Sequence, residues 1–300
     1  MSKRTYLILC TAIIISLITL ISMPEICVSG ARYGLILWFD SIIPTLFPFF
    51  VITRLIIELN LCPKRLLPYY PVLIGLLSGY PNGALTIGEL VKRGQISVHK
   101  GQYLLVICNN ASPVFLISFI GFTCLNNVWG KYVIWLCVIA ASFITYMLIY
   151  KKDGAINIKN TKEPAEIPAG SVSLHCIFEQ IIMKSFEVLV MVGAYIILFS
   201  IIAHIIMTLN IPEICTIITA GILEITTGMN LLSDASLSDM YKYIIAAGIC
   251  GFGGMSAILQ SKGVICSCGL SITRYILHKI ICTVISCILC YIYIMIRVHL

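Results

Sequence analysis

The stretch GLLSGYPNG, residues 75–83, places polar and helix-breaking residues in the middle of an apolar segment, and a comparable stretch, GILEITTG, begins 221 − 75 = 146 residues later. Proline lacks the backbone N–H that a helix interior needs, and glycine weakens a helix. We therefore predict that the surrounding segments, residues 71–91 and 211–232, form re-entrant helical hairpins. A kinked but ordinary helix is the alternative for the first of them.

The composition of the chain indicates a membrane protein. Hydrophobic residues make up 59% of the sequence and charged residues 11%, whereas soluble domains carry about 25% charged residues. The formal net charge of +7 does not indicate nucleic-acid binding, because Lys and Arg punctuate apolar runs instead of clustering on one face. We expect the lipid bilayer as a partner and no nucleic acid.

Apolar runs of about 18 residues or more are long enough to cross the hydrocarbon core. Seven segments qualify: residues 6–23, 35–57, 103–125, 128–150, 186–209, 243–260 and 273–296. The predicted fold class is an all-α membrane protein with about seven transmembrane helices plus two re-entrant helical hairpins. The first segment also resembles a signal peptide, but its apolar stretch is long, so we expect an uncleaved anchor. A cytoplasmic N-terminus puts most Lys and Arg, Lys279 included, on the cytoplasmic side, in agreement with the positive-inside rule.

A polar linker divides the apolar sequence into two comparable halves. We predict an anchor helix and external loop (1–34), a first repeat (35–150), a cytoplasmic linker with an interfacial helix (151–185) and a second, inverted repeat (186–300). Each half reads span, hairpin, span, span. Because three crossings are an odd number, the two copies must point in opposite directions. Residues 174–186 carry the apolar spacing of a helix that lies on the inner membrane surface.

Four interrupted segments are predicted to meet at one site. They are the two hairpins, NNASP from Asn109 and GFGGMS from Gly251, the last two offset by 251 − 109 = 142 residues. Inside hydrocarbon, non-helical backbone survives only where protein buries it or where it lines a wet cavity, and paired interruptions in inverted halves indicate a transporter site. Half-helix N-termini there can bind an anionic group. The candidate substrate-binding residues are Ser78, Gly79, Tyr80, Pro81, Asn82, Asn109, Asn110, Ser112, Glu224, Thr226, Thr227, Gly251, Gly253, Gly254, Ser256 and Gln260.

Several of these residues have a structural alternative. The amides of Asn109 and Asn110 can serve a ligand or the backbone carbonyl that Pro113 frees. The glycines from residue 251 onward can serve close helix packing. An ionisable group at the depth of Glu224 predicts proton coupling, or a carboxylate that holds a cation, and capping of the hairpin N–H groups is the alternative. We expect His204 to be a core histidine bonded to a neighbouring carbonyl.

The interrupted motifs also resemble a known family. SGYPNGA (78–84), NNASPVF (109–115), LEITTG (223–228) and GFGGMSAILQ (251–260) are similar to the YlbJ-type sporulation integral membrane proteins, and LWFDSIIPTLFPFFV (37–51) fits as well. The resemblance implies a nucleoside-recognition, or Gate-domain, membrane protein of spore-forming bacteria. It further implies a place in the cell membrane or the mother-cell-derived forespore membrane, with dipicolinate as the transported solute. Amides from Asn82, Asn109 and Asn110, with Tyr80 against the ring, would then hold this aromatic dicarboxylate.

The leading hypothesis is secondary transport of a small organic anion by alternating access, with proton coupling through Glu224. The sequence contains no Walker A, HExxH or GxSxG motif, so we expect neither ATP hydrolysis nor another enzymatic activity. No cofactor or metal is expected, because Cys266 and Cys268 form a CxC pair without a nearby His. The alternative is a non-transporting membrane scaffold or signalling protein required for spore assembly. An oligomer is compatible with either hypothesis.

Overall fold

The computed structural model of the chain describes residues 3–59, 61, 69–152 and 174–299, and in these ranges it contains helices and no strands. Most of the predicted linker, residues 153–173, lies outside the described residues. The elements are α1 (Lys3–Ser22), α2 (Pro24–Leu37), the π-helical π1 (Trp38–Ile42), α3 (Ile43–Glu58), α4 (Tyr70–Ser78), α5 (Asn82–Lys92), α6 (Val98–Cys108), the π-helical π2 (Phe115–Cys124), α7 (Val133–Lys152), α8 (Leu174–Met207), α9 (Glu213–Leu223), α10 (Ile225–Asp234), α11 (Asp239–Phe252), α12 (Met255–Ser267) and α13 (Ile272–His299).

Five helical stretches of the described chain are long and apolar enough to cross a membrane. They are Pro24–Glu58, Val133–Tyr150, His175–Met207, Asp239–Ser267 and Ile272–His299. Shorter apolar helices occur at Ile13–Ser22, Phe115–Cys124 and Glu213–Leu223. Many large apolar side chains on these helices are exposed, which is the surface that a lipid bilayer covers. The prediction of an all-α, multi-pass membrane protein is confirmed.

The predicted external loop before residue 35 is wrong, because α2 is helical and continues through π1 and α3 as one 35-residue helix. Two glycines of α2 explain this correction. A Cβ on Gly30 would lie 2.8 Å from the Cα of Ile201, and one on Gly34 would lie 2.8 Å from the Cα of Ile197, so both glycines press against the backbone of α8. Small residues at this spacing let two membrane helices approach closely, and that packing stabilises the helix.

The predicted interfacial helix at residues 174–186 is not a separate element. It forms the first turns of α8, a single helix of 34 residues. No Pro or Gly separates these residues from the span that follows, so nothing in the backbone chemistry ends the helix. At 1.5 Å per residue α8 is roughly 50 Å long, which exceeds a hydrocarbon core of about 30 Å.

The order of elements repeats across the linker. A long helix, a broken hairpin, a broken crossing and an unbroken helix occur as α2–α3, α4/α5, α6/π2 and α7, and again as α8, α9/α10, α11/α12 and α13. Corresponding breaks are separated by 224 − 79 = 145 and 253 − 109 = 144 residues. The two halves also contact each other. Helix α5 of the first half packs against α12 of the second, and α10 of the second half packs against π2 of the first. Their opposite orientation in a membrane stays a prediction.

Candidate functional site

The four breaks border one cavity of about 310 Å³. Each break is followed by a helix, and a residue at the start of each of these helices lines the cavity: Tyr80 before α5, Ser112 before π2, Glu224 before α10 and Gly253 before α12. An α-helix N-terminus carries unsatisfied N–H groups and a partial positive charge. The cavity therefore lies beside four helix starts, of which α10 is capped by Glu224 and π2 by Ser112, whose Oγ accepts from the amide of Phe115 at 3.3 Å.

The structure divides the predicted site residues into two sets. Those that line the cavity are Ser78, Tyr80, Ser112, Glu224, Thr226, Gly253, Ser256 and Gln260. Those that do not line it are Gly79, Pro81, Asn82, Asn109, Asn110, Thr227, Gly251 and Gly254. The first set is mostly hydroxyl-bearing, while all three predicted asparagines belong to the second.

The first hairpin is docked by glycine contacts with the end of α6. A Cβ on Gly75 or on Gly83 would overlap the backbone carbonyl oxygen of Cys108, so both half-helices lie directly against this turn. At the tip, Gly79 has a φ of 74°, which other residues rarely adopt. The amide of Tyr80 donates to the backbone oxygen of Asn110 at 2.7 Å. The tip of the hairpin and the break of the first crossing are thus tied together.

Asn82 packs away from the cavity, toward α3. Its Nδ2 donates to Thr53 Oγ1 at 3.2 Å and to Ser78 Oγ at 3.0 Å, so it links α5 to α3 and to α4. Near the far end of α5, Arg93 pairs with Glu58 at 2.9 Å and with Glu89 at 3.0 Å. These bonds hold the hairpin against the long helix of its own half.

Asn109 and Asn110 hold backbone and neighbouring helices together. Asn109 Nδ2 donates to Ser261 Oγ at 2.9 Å and to the Tyr275 hydroxyl at 2.8 Å, and that hydroxyl donates to the Asn109 carbonyl at 3.0 Å. Asn110 Nδ2 donates to the carbonyls of Val106 and Ile107 at the end of α6. The amide of Asn110 thus serves carbonyls at the end of α6, whereas the Asn109 carbonyl that Pro113 frees accepts from Tyr275 and from neither asparagine amide.

Lys279 is buried, which corrects its expected place in a cytoplasmic segment. It is 1% exposed, and its Nζ donates to Asn110 Oδ1 at 2.9 Å. A Cβ on Gly253 would lie 3.6 Å from this Nζ, so the ammonium sits directly behind the break of the second crossing. Within the described part of the chain no carboxylate forms an ion pair with it. A lone Lys near the end of an apolar run resembles a snorkelling side chain, so the sequence pattern alone misplaced it.

Glu224 combines two of the predicted roles. Its Oε2 accepts hydrogen bonds from the amide of Thr227 at 2.8 Å and from Thr227 Oγ1 at 3.0 Å, so it caps α10. The same side chain lines the cavity and is 5% exposed. The neighbouring Thr226 also lines the cavity. The capping alternative is therefore present in the structure, and the coupling role stays a prediction.

The glycines of the second broken crossing have different tasks. Gly251 packs against α13, where an added Cβ would lie 2.9 Å from Ser286 Oγ, and this is the helix-packing alternative. Gly253 and Gly254 have φ angles of 92° and 79°, and this left-handed backbone ends α11 and starts α12. His204 Nδ1 lies 2.8 Å from the carbonyl oxygen of Ser200, one turn earlier, so the predicted bond to a neighbouring carbonyl is present on a part-buried ring.

Sequence reasoning missed four polar residues of the cavity. Asp40 and Ser41 lie in π1, Thr45 follows in α3 and Ser118 belongs to π2. The sequence contained one indication that Asp40 belongs to the site, because it is the only acidic residue between residues 26 and 57. Both π-helical segments contribute to the cavity, and such segments often occur at functional sites because they change the direction of side chains.

The chain resembles a known sporulation protein over most of its length. The chain is similar to the protein named Sporulation integral membrane protein YlbJ of Bacillus subtilis, with 24% identity over 317 residues. The match covers 88% of this chain and 77% of the relative. No family model matches the chain, and no solved structure matches it. The resemblance to the YlbJ-type family is confirmed, and the Gate-domain part of it stays a prediction.

Proposed function

We propose, from the premise that this chain is a YlbJ-type sporulation integral membrane protein, that it is a secondary transporter of a small organic anion in spore formation. One observation carries the proposal: four half-helix N-termini border a single cavity between two repeats that share an order of elements. Broken helices around a central cavity are the arrangement in which transporters of repeated architecture bind solutes. Alternating access would then open the cavity to each side in turn.

Two features beside the cavity favour an anionic solute, and Asp40 and Glu224 are the acidic groups that line it. No side chain caps the N-terminus of α12, where Ser256 and Ala257 line the cavity, so the N–H groups of this first turn can serve a ligand. The buried ammonium of Lys279 lies behind Gly253, and Gly253 lines the cavity. Both features lower the free energy of a carboxylate in this space.

The size and apolar lining of the cavity support a flat aromatic solute. Its volume of about 310 Å³ is at the small end of the range for ligand pockets, about 300–1,000 Å³. Phe115 and Phe119 line it, with their rings stacked at 5.2 Å, and Tyr80 lines it as well. We propose dipicolinate, with its ring against these side chains and a carboxylate at the N-terminus of α12. In contrast to the sequence-based pose, the three asparagines take no part.

Binding and uptake measured on purified protein test the proposal. Dipicolinate should raise the apparent melting temperature, because a ligand that binds only the folded state stabilises it, by about 2.7 kcal/mol at a concentration of 100 Kd. Reconstituted protein should also accumulate the labelled solute. Nucleosides and the neutral diamide of dipicolinate serve as comparison ligands. If no small anion binds or moves, transport is contradicted and a non-transporting scaffold in spore assembly becomes the better proposal.

Replacing Glu224 by Gln should weaken the dependence of uptake on a pH gradient. Glutamine keeps an oxygen that can accept from the Thr227 amide, so the cap on α10 survives, while the proton that a carboxylate carries is lost. Uptake into proteoliposomes at several external pH values measures the effect. Glu213→Gln, at the exposed start of α9, is the matched control and should behave as the unsubstituted protein. Identical pH profiles for Glu224→Gln and the unsubstituted protein would contradict the coupling role.

A further inference from the structure

A second carboxylate occupies the cavity. Asp40 lies 40 − 24 = 16 residues after the start and 58 − 40 = 18 residues before the end of the Pro24–Glu58 span, close to its middle. A carboxylate at that depth is costly unless it faces the protein interior or a water-filled path. Asp40 is exposed and lines the same cavity as the buried Glu224, so it has such a path.

Neither carboxylate has a basic partner in this space. Lys and Arg are absent from the described residues that line the cavity, where Tyr80 is the remaining group able to ionise. The helices packed against π1 are α2, α3 and α8, and their charged side chains, such as Arg32, Arg54 and Glu187, do not line it either. Asp40 makes no hydrogen bond or ion pair with any residue that the structure describes.

We infer that Asp40 and Glu224 each carry one proton during transport, so that two protons accompany each dicarboxylate dianion. This inference rests on the proposed function. If both groups were ionised, an entering dianion would meet two like charges that no basic side chain in the cavity offsets, and this repulsion would oppose binding. When a proton is bound to each carboxylate, the site accepts the dianion. Release on the other side returns two protons and the solute, so that one cycle moves no net charge.

Charge balance makes the proton count measurable. With the membrane potential held at zero, a solute that moves with n protons accumulates by a factor of ten to the power n for each unit of pH difference. The unsubstituted protein should therefore accumulate dipicolinate about 100-fold across one pH unit. An imposed potential should leave its accumulation unchanged.

Asp40→Asn should reduce the number of protons transported with each solute molecule from two to one. Accumulation should fall to about tenfold per pH unit, and the cycle should now carry one negative charge. An inside-positive potential of about 60 mV should then raise accumulation about tenfold. Glu224→Gln should give the same values, the double variant should only equilibrate the solute at zero potential, and Asp40→Glu should restore two protons. Glu213→Gln, outside the cavity, should keep the full count.

A binding measurement tests the inference in variants that bind the solute but do not transport it. Calorimetry in two buffers of different ionisation enthalpy counts the protons taken up with the solute, and we expect two for the unsubstituted protein and one for Asp40→Asn. An unchanged count in Asp40→Asn, or a count of one in the unsubstituted protein, overturns this inference and leaves the transport proposal standing. Uptake that requires Na⁺ at constant pH also overturns it, in favour of a cation between the carboxylates. If the unsubstituted protein binds and moves no anion, both proposals fall.

Discussion

Gly83→Ala is expected to prevent the first hairpin from docking, with the largest loss of stability of the variants considered. The new Cβ would overlap the carbonyl oxygen of Cys108 and lie 2.5 Å from its carbonyl carbon. Both are backbone atoms at the last turn of α6, so no side chain can move aside, and α5 and α6 must separate. Overpacking of a tight interior costs about 1–3 kcal/mol, and backbone contacts lie at the upper end of that range or beyond it.

Thermal unfolding in detergent measures this effect, and binding of dipicolinate should be lost in parallel because Tyr80 sits at the tip of the same hairpin. Gly263→Ala is the matched control, since nothing lies within 4 Å of a Cβ there and the residue is within helix α12. Alanine is the better helix former, so this control should change stability by less than about 1 kcal/mol, in the stabilising direction. A Gly83→Ala protein that melts and binds normally would show that the hairpin does not press on α6.

Lys279→Met is expected to lower the affinity for a dicarboxylate by tenfold or more. A unit charge about 4–8 Å from an anion contributes about 2–4 kcal/mol at an effective dielectric of about 20. Methionine retains most of the side-chain volume, so packing changes little. The substitution also leaves Asn110 Oδ1 without its donor, which costs about 1–3 kcal/mol, and the Asn110 backbone oxygen holds the amide of Tyr80.

Comparing charged with neutral ligands separates these two effects. Loss of charge should weaken binding of dipicolinate much more than binding of its neutral diamide, whereas misplacement of Tyr80 would weaken both. Lys279→Arg should retain most of the affinity for the dianion. Lys262→Met, on the exposed face of α12, should bind as the unsubstituted protein does. Equal affinity of Lys279→Met and the unsubstituted protein for dipicolinate would remove Lys279 from the recognition of the solute.

Much of the backbone plan was predictable because it depends on local chemistry. Gly79, Pro81 and the Gly253–Gly254 pair cannot continue a helix cheaply, and the structure breaks its helices at these positions. The similar spacing of the breaks likewise predicted the repeated order of elements. The errors at residues 24–34 and 174–186 arose where a helix continues because a distant helix packs against it or because nothing ends it.

The directions of polar side chains were harder to predict. An asparagine beside a broken helix can bind a solute or a free carbonyl equally well. In the structure, Asn109 and Asn110 bond instead to Tyr275 and Lys279 of α13, and neither asparagine lines the cavity. Asp40 was read as part of a regular span. Its place on the cavity depends on π1 and on the packing of α2 against α8.

The sequence by itself determined that this protein is a bundle of membrane helices and where most of its helices are interrupted, because composition and the presence of Gly and Pro act within a few residues. Only the tertiary structure decided which polar groups surround the cavity. The contact between Lys279 and Asn110 joins residues 169 positions apart, and such contacts follow from how whole helices pack. Local periodicity carries no information about that packing, so the buried cation and the second carboxylate could be recognised only once the helices were assembled.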